Sequence, residues 1–358
     1  MKQPNPSRRD LLTAAAGCAL SAGGFVRTCA AAAGGHADRW TDTPFLAGVN
    51  MAGADFGYVI PGVFGTNYTY PTCEEISYYR GLGFNVIRLP FLWERLQPDL
   101  YSAFDVEEWE RFRTVLVCAL NEGLHVILDP HNNAKRRISA DGFSKQHFIG
   151  TSEVPTDAFI QFWLELIRRA PSKQVIYGLM NEPVDISAQA WFDIAQTCIN
   201  AIRQTGATNM ILAPGTMWTS AHLWQQGGNE IFSDLVDPIG YTAIEVHQYF
   251  DGDSSGRTGE AVSPTIGIER IAEFEAWARR HNRKAFLGEF GPSPDPVNLQ
   301  ALERLLEHIS ENRDVWIGWT AWAAGPWWPD DFPFKLDYLP STVIPPQTRV
   351  LMDFARKR

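Results

Sequence analysis

Short runs of apolar and β-branched residues recur along the chain, and each run ends in polar, glycine or proline residues. Such runs predict buried strands, and the stretches between them are long enough to hold a crossover helix each time. The predicted strands are Phe45–Met51, Phe84–Leu89, Leu124–Asp129, Val175–Met180, Met210–Ala213, Tyr241–His247, Ala285–Phe290 and Val315–Trp322.

Amphipathic segments fill most of the gaps between these strands. Pro155 precedes a helix-start signal at Thr156, and Gly123 and Gly206 are typical helix stops. Residues 220–240 are the exception, because they show no clear helical pattern. The predicted helices are Cys73–Leu82, Val106–Glu122, Thr156–Arg169, Ala188–Gln204, Ile266–His281 and Leu299–Glu311.

The alternation of strand and helix predicts an α/β fold, a single closed (β/α)8 barrel of the TIM-barrel type. An open doubly wound sheet is the alternative, but no G-x-G-x-x-G motif follows the first predicted strand. We therefore expect one barrel domain, the catalytic one, over residues 44–358, with a short segment at 34–43 before it.

Residues 1–33 carry the features of an export signal of the twin-arginine type. Arg8–Arg9 lie in the pattern SRRDLL, a weakly apolar stretch covers Leu11–Val26, and Ala31 and Ala33 suit cleavage. The apolar stretch is short for a spanning helix, although a membrane-anchoring or unstructured N-terminus is the alternative. We expect this segment to be removed, and the mature protein to work without a membrane, in the periplasm or outside the cell.

The charge balance narrows the choice of partners. The chain has 31 Lys and Arg against 41 Asp and Glu, a formal net charge of −10. Nucleic acid, an anionic membrane or a polyanionic polymer would be repelled, whereas a neutral polymer would not. The 13 Trp, 10 Tyr and 21 Phe exceed what a core needs, so some should face a ligand. No linker or second module is visible, and we expect a monomer.

Three cysteines lie outside the predicted signal, and their spacing matches no metal site. Cys118 and Cys198 fall in apolar helical runs, which favours buried free thiols. With Cys73, the number of cysteines outside the predicted signal is odd. The pattern predicts few disulfides and no zinc site.

Two long connections, Ala52–Pro71 and Ala323–Gln347, follow the first and eighth predicted strands. Both are aromatic and rich in glycine and proline. Barrel enzymes build their sites from the loops at this end of the barrel. These two loops are therefore candidates for the walls of an open cleft.

Polar and ionisable residues cluster where the predicted strands end. Period-two alternation places Glu245, His247 and Tyr249 on one side of their strand, and Asp129 and His131 on one side of theirs. An isolated buried carboxylate is costly, so glutamates that end apolar strands need partners or a chemical role. The strand-end candidates are Arg88, His131, Asn181, Glu182, His247, Tyr249, Glu289 and Trp322.

Glu182 and Glu289 form the pair of carboxyls that glycoside hydrolysis requires. One must be protonated to donate to the leaving oxygen, and the other must be ionised to attack or to activate water. Arg88 within reach of Glu289 would lower its pKa. Asn181 could bind a sugar hydroxyl, and Trp322 could stack on a sugar ring. Spacing alone does not assign the two glutamates, and a purely structural ion pair of both with Arg88 is the alternative.

Taken together, these motifs resemble the pattern of glycoside hydrolase family 5, in the family's order, over residues 44–325. The resemblance implies a TIM barrel and a retaining mechanism, with Glu182 as acid/base and Glu289 as nucleophile. The matching motifs are IRLP with Arg88, DPHN with His131, NEP at Asn181–Pro183, HQY with His247 and Tyr249, LGEFG with Glu289, and Trp322.

The same resemblance assigns the supporting residues. His247 and Tyr249 would position the two glutamates, and His131 with Asn181 would bind hydroxyls near the cleavage point. The carboxyls of Glu182 and Glu289 should lie roughly 5 to 5.5 Å apart. No metal or organic cofactor is implied.

The opening segment Gly48–Gly57 is similar to that of secreted endo-β-1,4-glucanases, which implies a β-1,4-glucan as the polysaccharide substrate. Mannan, xyloglucan and mixed-linkage glucan are alternatives with the same mechanism. A non-catalytic carbohydrate-binding barrel is an alternative of another class. A metal-dependent hydrolase is disfavoured, because no H-x-H motif lies at the first strand. Without a binding module, we expect soluble or amorphous glucan to be preferred.

Several residues keep open roles in the sequence. Trp218 suits a sugar platform as well as loop packing, and Asp55 could bind a hydroxyl or cap its loop. Trp93, Trp327 and Trp328 have no assigned role. The tryptophans on predicted helices, which we expect to pack in the outer layer, are Trp109, Trp163, Trp191 and Trp277.

Overall fold

A computed structural model describes residues 39–57, 59–140, 143–336 and 343–357 of the chain. The expected export signal at 1–33 and the first part of the 34–43 segment lie outside the described residues. Among the described residues, no helix combines the length and apolar character needed to span a membrane.

Eight parallel strands close into a barrel, which confirms the predicted fold class. Numbered in chain order, the barrel strands are β1 (Leu46–Met51), β2 (Val86–Phe91), β3 (His125–Pro130), β6 (Val175–Gly178), β7 (Ile211–Pro214), β8 (Thr242–His247), β9 (Ala285–Glu289) and β10 (Trp316–Ala324). Around the barrel the order is β1, β10, β9, β8, β7, β6, β3 and β2. Each predicted strand is present, with ends that move by one or two residues.

Helices cover the outside of the barrel, and all six predicted helices are present. Residues 220–240 hold two short 3-10 helices, at Ala221–Leu223 and Asn229–Asp234, in place of a regular one. Two helices were not predicted, a single turn after β2 and the last helix of the described chain. The α-helices are α1 (Cys73–Leu82), α2 (Trp93–Leu96), α3 (Val106–Asn121), α4 (Thr156–Arg169), α5 (Ala188–Gln204), α6 (Ile266–Arg280), α7 (Pro296–Glu311) and α8 (Pro346–Arg356).

Local signals account for the helix ends. Thr72 and Glu75 form a reciprocal capping box at the start of α1. Asp295 accepts hydrogen bonds from two backbone N–H groups at the start of α7, whose first residue is Pro296. Gly123 follows α3 at φ 74°, a left-handed conformation that favours glycine, as the predicted stop requires.

The two ends of the barrel interior differ in character. A cluster of buried apolar side chains, among them Val86, Ile127, Leu212 and Phe286, fills the end where the strands begin. A larger apolar layer lies between the strands and the helices, and it holds Trp109, Trp163, Trp191 and Trp277 as predicted. Polar side chains in the interior are therefore confined to the end where the strands finish.

A β-hairpin of β4 (Lys135–Ala140) and β5 (Phe143–Phe148) follows β3 and was not predicted. Its first strand reads KRRISA, which lacks the alternation of apolar and polar residues that a strand prediction uses. The buried Arg136 holds it in place, because its guanidinium donates to the carbonyls of Gln97 and Pro98 and lies over the ring of Trp93. Tertiary contacts, which period counting does not see, stabilise this hairpin.

The prediction of a free thiol was wrong for Cys118. Cys73, the first residue of α1, forms a disulfide with Cys118 of α3, and their Cα atoms lie 5.4 Å apart. α1 and α3 are neighbours on the outside of the barrel, so the closed fold brings together two residues 45 positions apart. Cys198 is a buried free thiol, as predicted.

Replacing both bridged cysteines, in the variant Cys73→Ser/Cys118→Ser, should lower the free energy of unfolding by about 2 to 4 kcal/mol. The physical reason is that the unfolded chain loses a cross-link that closes a loop of this length. Chemical denaturation of wild type and variant, with and without reductant, provides the measurement. Reductant should destabilise the wild type and leave the double variant unchanged. Cys198→Ala serves as a control that removes a thiol without removing a cross-link. Equal reductant sensitivity of wild type and double variant would contradict the bridge.

Candidate active site

The predicted site residues come together at the C-terminal end of the barrel. Arg88 comes from β2, Glu289 from the last position of β9, and Trp322 from β10. Asn181 and Glu182 lie in the segment that follows β6, separated from its end by two residues. Glu182 adopts φ 39°, a left-handed conformation uncommon for a side chain of this type, and Asn133 Nδ2 donates to its carbonyl at 3.1 Å. That backbone conformation turns the Glu182 carboxylate into the barrel mouth.

Arg88 lies at the centre of the site and is fully buried. Its Nη1 lies 3.0 Å from Asp129 Oδ2 and 2.9 Å from Glu289 Oε1, and its Nε lies 3.0 Å from Glu245 Oε1. A buried guanidinium without partners would be very costly, and three carboxylates supply the compensation here. The Coulombic attraction of these carboxylates raises the pKa of Arg88 despite its burial, so the residue stays charged.

Two asparagines complete the contacts of Arg88. Nη1 donates to Asn50 Oδ1 at 2.9 Å, and Nη2 donates to Asn181 Oδ1 at 2.8 Å. Asn50 in turn donates to the carbonyl of Gly288 at 2.9 Å. The Arg88 guanidinium is therefore tied to β1 and β9 and to the segment after β6.

The two candidate catalytic carboxylates face each other across His247. An oxygen of Glu182, an oxygen of Glu289 and a ring nitrogen of His247 all lie within 4.8 Å of one another. His247 Nδ1 lies 2.8 Å from Glu182 Oε1 and 3.6 Å from Glu289 Oε2. Tyr249 donates its hydroxyl to Glu289 Oε2 at 2.8 Å. The predicted contacts of His247 with Glu182 and of Tyr249 with Glu289 are both present.

The pKa of Glu289 departs from the prediction. Burial raises the pKa of this carboxyl above its ordinary value, and the charges of His247 and Arg88 oppose that rise without cancelling it. The charge of Arg88 lowers the pKa of Glu289, as predicted, but Asp129 and Glu245 also contact this guanidinium. The sequence could not show that one guanidinium serves three carboxylates.

The surroundings of His247 favour a protonated ring. Nδ1 faces Glu182 and Glu289, and Nε2 lies 3.3 Å from Glu245 Oε1, so each nitrogen has a carboxylate to donate to. Burial lowers the pKa of this ring, but the charge of Glu289 and the hydrogen bonds to Glu182 and Glu245 raise it to about 10. The residue is a buried imidazolium between the two candidate catalytic groups.

His131 lies on the other side of the site. Its Nδ1 lies 2.8 Å from Asp129 Oδ2, and its Nε2 lies 3.1 Å from Asn181 Nδ2. Trp322 stacks on the His131 ring, with centroids 5.6 Å apart and planes within 19°. The half-buried Trp322 thus lies beside His131, one of the two residues predicted to bind hydroxyls.

The remaining tryptophans separate into cleft and core. Trp218 is 48% exposed and lines the same cavity as Glu182, an arrangement that suits a sugar platform. Trp328 packs edge-on against Trp322, with ring centroids 5.7 Å apart. Trp327 is 37% exposed, and Trp93 is fully buried in the core.

Cavities open on both sides of the catalytic pair. The cavity beside Glu182 and Trp218 has a volume of about 390 Å³. A second, of about 300 Å³, is lined by His131 and Asp55. Asp55 accepts a hydrogen bond from the backbone N–H of Gly53 at 2.8 Å, so it caps its loop and also lines the cavity. The cleft therefore extends in two directions from the point between the two glutamates.

Sequence reasoning noticed Asp129 and Glu245 by their alternation but gave them no role, and it passed over Asn50. All three are buried and contact Arg88. One feature of the sequence could have indicated them: a buried Arg88 is costly unless more than one acceptor compensates its charge.

Glu182, His247 and Glu289 are also the one group in the described part of the chain that could bind a metal ion, through a carboxylate oxygen of each glutamate and a ring nitrogen of the histidine. Each of the three already has a hydrogen-bond partner in the site. Two carboxyls at this end of a barrel also suit proton donation by one and nucleophilic attack by the other. This arrangement is typical of barrel enzymes that cleave glycosidic bonds.

The family model for cellulase, glycosyl hydrolase family 5, matches residues 44–325. The chain therefore belongs to glycoside hydrolase family 5, as the motifs indicated. A probable endo-β-1,4-glucanase B of Aspergillus niger is 34% identical over 329 residues, which cover 91% of this chain and 92% of that protein. Endoglucanase gh5-1 of Neurospora crassa is 37% identical over 79% of this chain and 70% of its own length.

Solved structures agree with this assignment. A triple variant of an endo-β-1,4-glucanase from Xanthomonas axonopodis pv. citri is 41% identical with a TM-score of 0.82, covering 88% of this chain and 100% of that one. XacCel5A in complex with cellopentaose is 40% identical with a TM-score of 0.81, covering 87% and 99%. Endoglucanase Cel5A of Pseudomonas stutzeri in complex with cellobiose is 32% identical with a TM-score of 0.76, covering 87% and 92%.

The protonated state of His247 predicts how stability depends on pH. Because its pKa rises from 6.5 to about 10 on folding, its stabilising contribution is complete below pH 6.5 and is lost as pH rises towards 10. The free energy of unfolding of wild type minus that of His247→Gln should fall by at most about 1.4 kcal/mol per pH unit. Urea unfolding at pH 7, 8, 9 and 10 measures this difference.

The surface variant His281→Gln is the control for this experiment, and its difference from wild type should stay constant over the same range. A difference for His247→Gln that does not change between pH 7 and 10 would show that the buried ring is neutral.

Proposed function

We propose that this protein is a retaining endo-β-1,4-glucanase that cleaves internal bonds of cellulose or related soluble β-glucans. The observation that carries the proposal is the pair of carboxylate oxygens of Glu182 and Glu289 within 4.8 Å of each other at the barrel mouth. Carboxyls this close suit direct nucleophilic attack, whereas an inverting enzyme keeps them roughly 6.5 to 9.5 Å apart to hold a water. The relatives named as endo-β-1,4-glucanases support the substrate class.

In the first step, Glu289 attacks the anomeric carbon while Glu182 gives its proton to the departing sugar oxygen. Tyr249 donates to Glu289 Oε2 and Arg88 to Glu289 Oε1, so both oxygens of the nucleophile are held by hydrogen bonds. These two donors fix the orientation of the carboxylate before the sugar binds.

In the second step, Glu182 takes a proton from a water that attacks the glycosyl-enzyme and restores the original anomeric configuration. Once Glu289 is esterified, its negative charge is gone. The contact of His247 Nδ1 with Glu182 Oε1, at 2.8 Å, holds this carboxyl in position to act as the base.

The shape of the cleft supports endo action on a neutral chain. Cavities lie on both sides of the catalytic pair, so a glucan can extend in both directions from the cleaved bond. Trp218 lines the cavity on the side of Glu182, which suits the leaving part of the chain. Relatives solved with cellobiose and with cellopentaose favour a β-1,4-glucan over mannan, xyloglucan or mixed-linkage glucan.

We also propose that residues 1–33 direct twin-arginine export and that the mature monomer acts outside the cytoplasm. The Arg8–Arg9 motif supports the route. The Cys73–Cys118 disulfide supports the destination, because such bonds form and persist in oxidising compartments.

The proposed activity predicts a steep fall in the viscosity of carboxymethylcellulose with little release of reducing ends. Glu289→Gln should abolish both, because the amide cannot act as a nucleophile, with a loss on the order of 10⁴-fold or more. Activity on glucomannan or xyloglucan alone would keep the mechanism and change the substrate. Inactivity on all of these polymers would favour the non-catalytic sugar-binding barrel.

Azide rescue of an aryl cellobioside with a good leaving group, such as 2,4-dinitrophenol, tests the two roles separately. Glu289→Ala lacks the nucleophile, so azide should attack the substrate directly and give the α-cellobiosyl azide. Glu182→Ala still forms the glycosyl-enzyme, because this leaving group needs no proton, and azide should then give the β-azide. Nuclear magnetic resonance identifies the anomer, and wild type with azide is the control. The opposite pair of products would exchange the two assignments.

A further inference from the structure

We propose that Asp129 is a positioning residue that fixes the tautomer of His131 and, through it, the orientation of the Asn181 amide. The inference rests on the proposed function in one respect, since Asn181 is taken to bind a hydroxyl of the sugar that reacts. The structural part stands on three hydrogen bonds and one salt bridge that form a closed ring of four residues.

The direction of these hydrogen bonds is set by Arg88. A guanidinium can only donate, so the atom of Asn181 that lies 2.8 Å from Nη2 must be the carbonyl oxygen. The Nδ2 amide group of Asn181 therefore faces His131. Rotating the amide by half a turn would direct an N–H against the N–H of Arg88.

The amide in turn determines the state of His131. Asn181 Nδ2 can only donate, so His131 Nε2, at 3.1 Å, must accept and carries no proton. The single proton of the neutral ring then lies on Nδ1 and is donated to Asp129 Oδ2 at 2.8 Å. Asp129 is the acceptor that selects this tautomer, because the other tautomer would leave it facing a lone pair.

The charge of Asp129 raises a competing possibility. Burial lowers the pKa of His131, and the attraction of Asp129 raises it, to about 9, which would favour a ring protonated on both nitrogens. That ring would direct an N–H at the N–H of Asn181, with no acceptor between them. We therefore assign the neutral ring with the proton on Nδ1, because the contact with Asn181 opposes a second proton.

The comparison with His247 supports this reading. His247 has carboxylates at both ring nitrogens, whereas His131 has a carboxylate at one and an amide donor at the other. The two histidines thus hold different states in the same site.

The consequence for the reaction lies in the second hydrogen of the amide. The Nδ2 group of Asn181 carries two hydrogens, and His131 accepts one of them. The other remains available to a hydroxyl beside the anomeric carbon, the contact that strengthens in the transition state of glycoside cleavage. Loss of the Asp129 acceptor would allow the other tautomer of His131, whose Nε2–H would oppose the N–H of Asn181 and displace the amide donor from the position in which Arg88 holds it.

Two variants separate an acceptor role from a charge role. Asp129→Asn can keep an oxygen at the Oδ2 position, because His131 contacts that atom at 2.8 Å and the Arg88 guanidinium lies 3.0 Å from it, whereas Asp129→Ala cannot. We expect kcat/KM on 2,4-dinitrophenyl β-cellobioside to fall by about 10- to 100-fold in Asp129→Ala and by less than about 5-fold in Asp129→Asn. An equal loss in both variants would overturn the acceptor role.

A substrate that lacks the 2-hydroxyl on the reacting ring provides a readout that a purely structural role would not move. On 2,4-dinitrophenyl 2-deoxy-β-cellobioside the wild type already lacks this contact. Asp129→Ala should therefore lose less than about 2-fold relative to wild type on this substrate. A loss as large as that on the normal substrate would show that Asp129 only maintains the site, and would overturn the proposal.

The nitrogen resonances of the histidine rings test the tautomer in the wild type, whether or not a variant folds. At pH 7, His131 should show a protonated Nδ1 and an unprotonated Nε2, and Asp129→Ala should lose this preference. A doubly protonated ring, or the opposite tautomer, would overturn the inference. Wild type without activity on either cellobioside would instead refute the proposed function and leave this spectroscopic test intact.

Discussion

The active site depends on the burial of one guanidinium. Arg88 is inaccessible to solvent, and its guanidinium can only donate hydrogen bonds, so the buried charge requires acceptors and negative charges around it. Three carboxylates, from Asp129, Glu245 and Glu289, and two amide oxygens meet this demand. Breaking one such contact would leave a buried charge without compensation, which costs more than the contact itself contributes. Arg88 therefore orders the nucleophile and both histidine-binding carboxylates at once.

The barrel makes such a site possible by separating its two ends. Apolar side chains such as Ile127 and Phe286 fill the interior where the strands begin, and they leave no place there for charge. The strand ends opposite can then carry polar groups that support one another in a region screened from water. Asp55 of the loop after β1 and Arg137 of the hairpin after β3 line the cavity beside His131, so these two connections extend this end of the barrel into a cleft.

The two histidines show how position alone sets chemistry in this site. His247 has carboxylates on both sides, and these favour the protonated ring beside Glu182 and Glu289. His131 has a donor on one side, and the geometry assigns it the neutral state. Histidine thus supplies a positive charge at position 247 and a fixed direction of hydrogen bonding at position 131.

The sequence by itself determined the fold class, the eight strands, six of the helices and the side chains at the strand ends, because each depends on local periodicity or on motifs within a few residues. Contacts between distant segments were decided only by the tertiary structure. Cys73 meets Cys118 because α1 and α3 pack side by side, and the hairpin around Arg136 rests on contacts with Gln97 and Trp93. The contacts of Arg88 with three carboxylates were likewise decided by the tertiary structure, because the pKa of a buried group depends on distances that only the closed barrel sets.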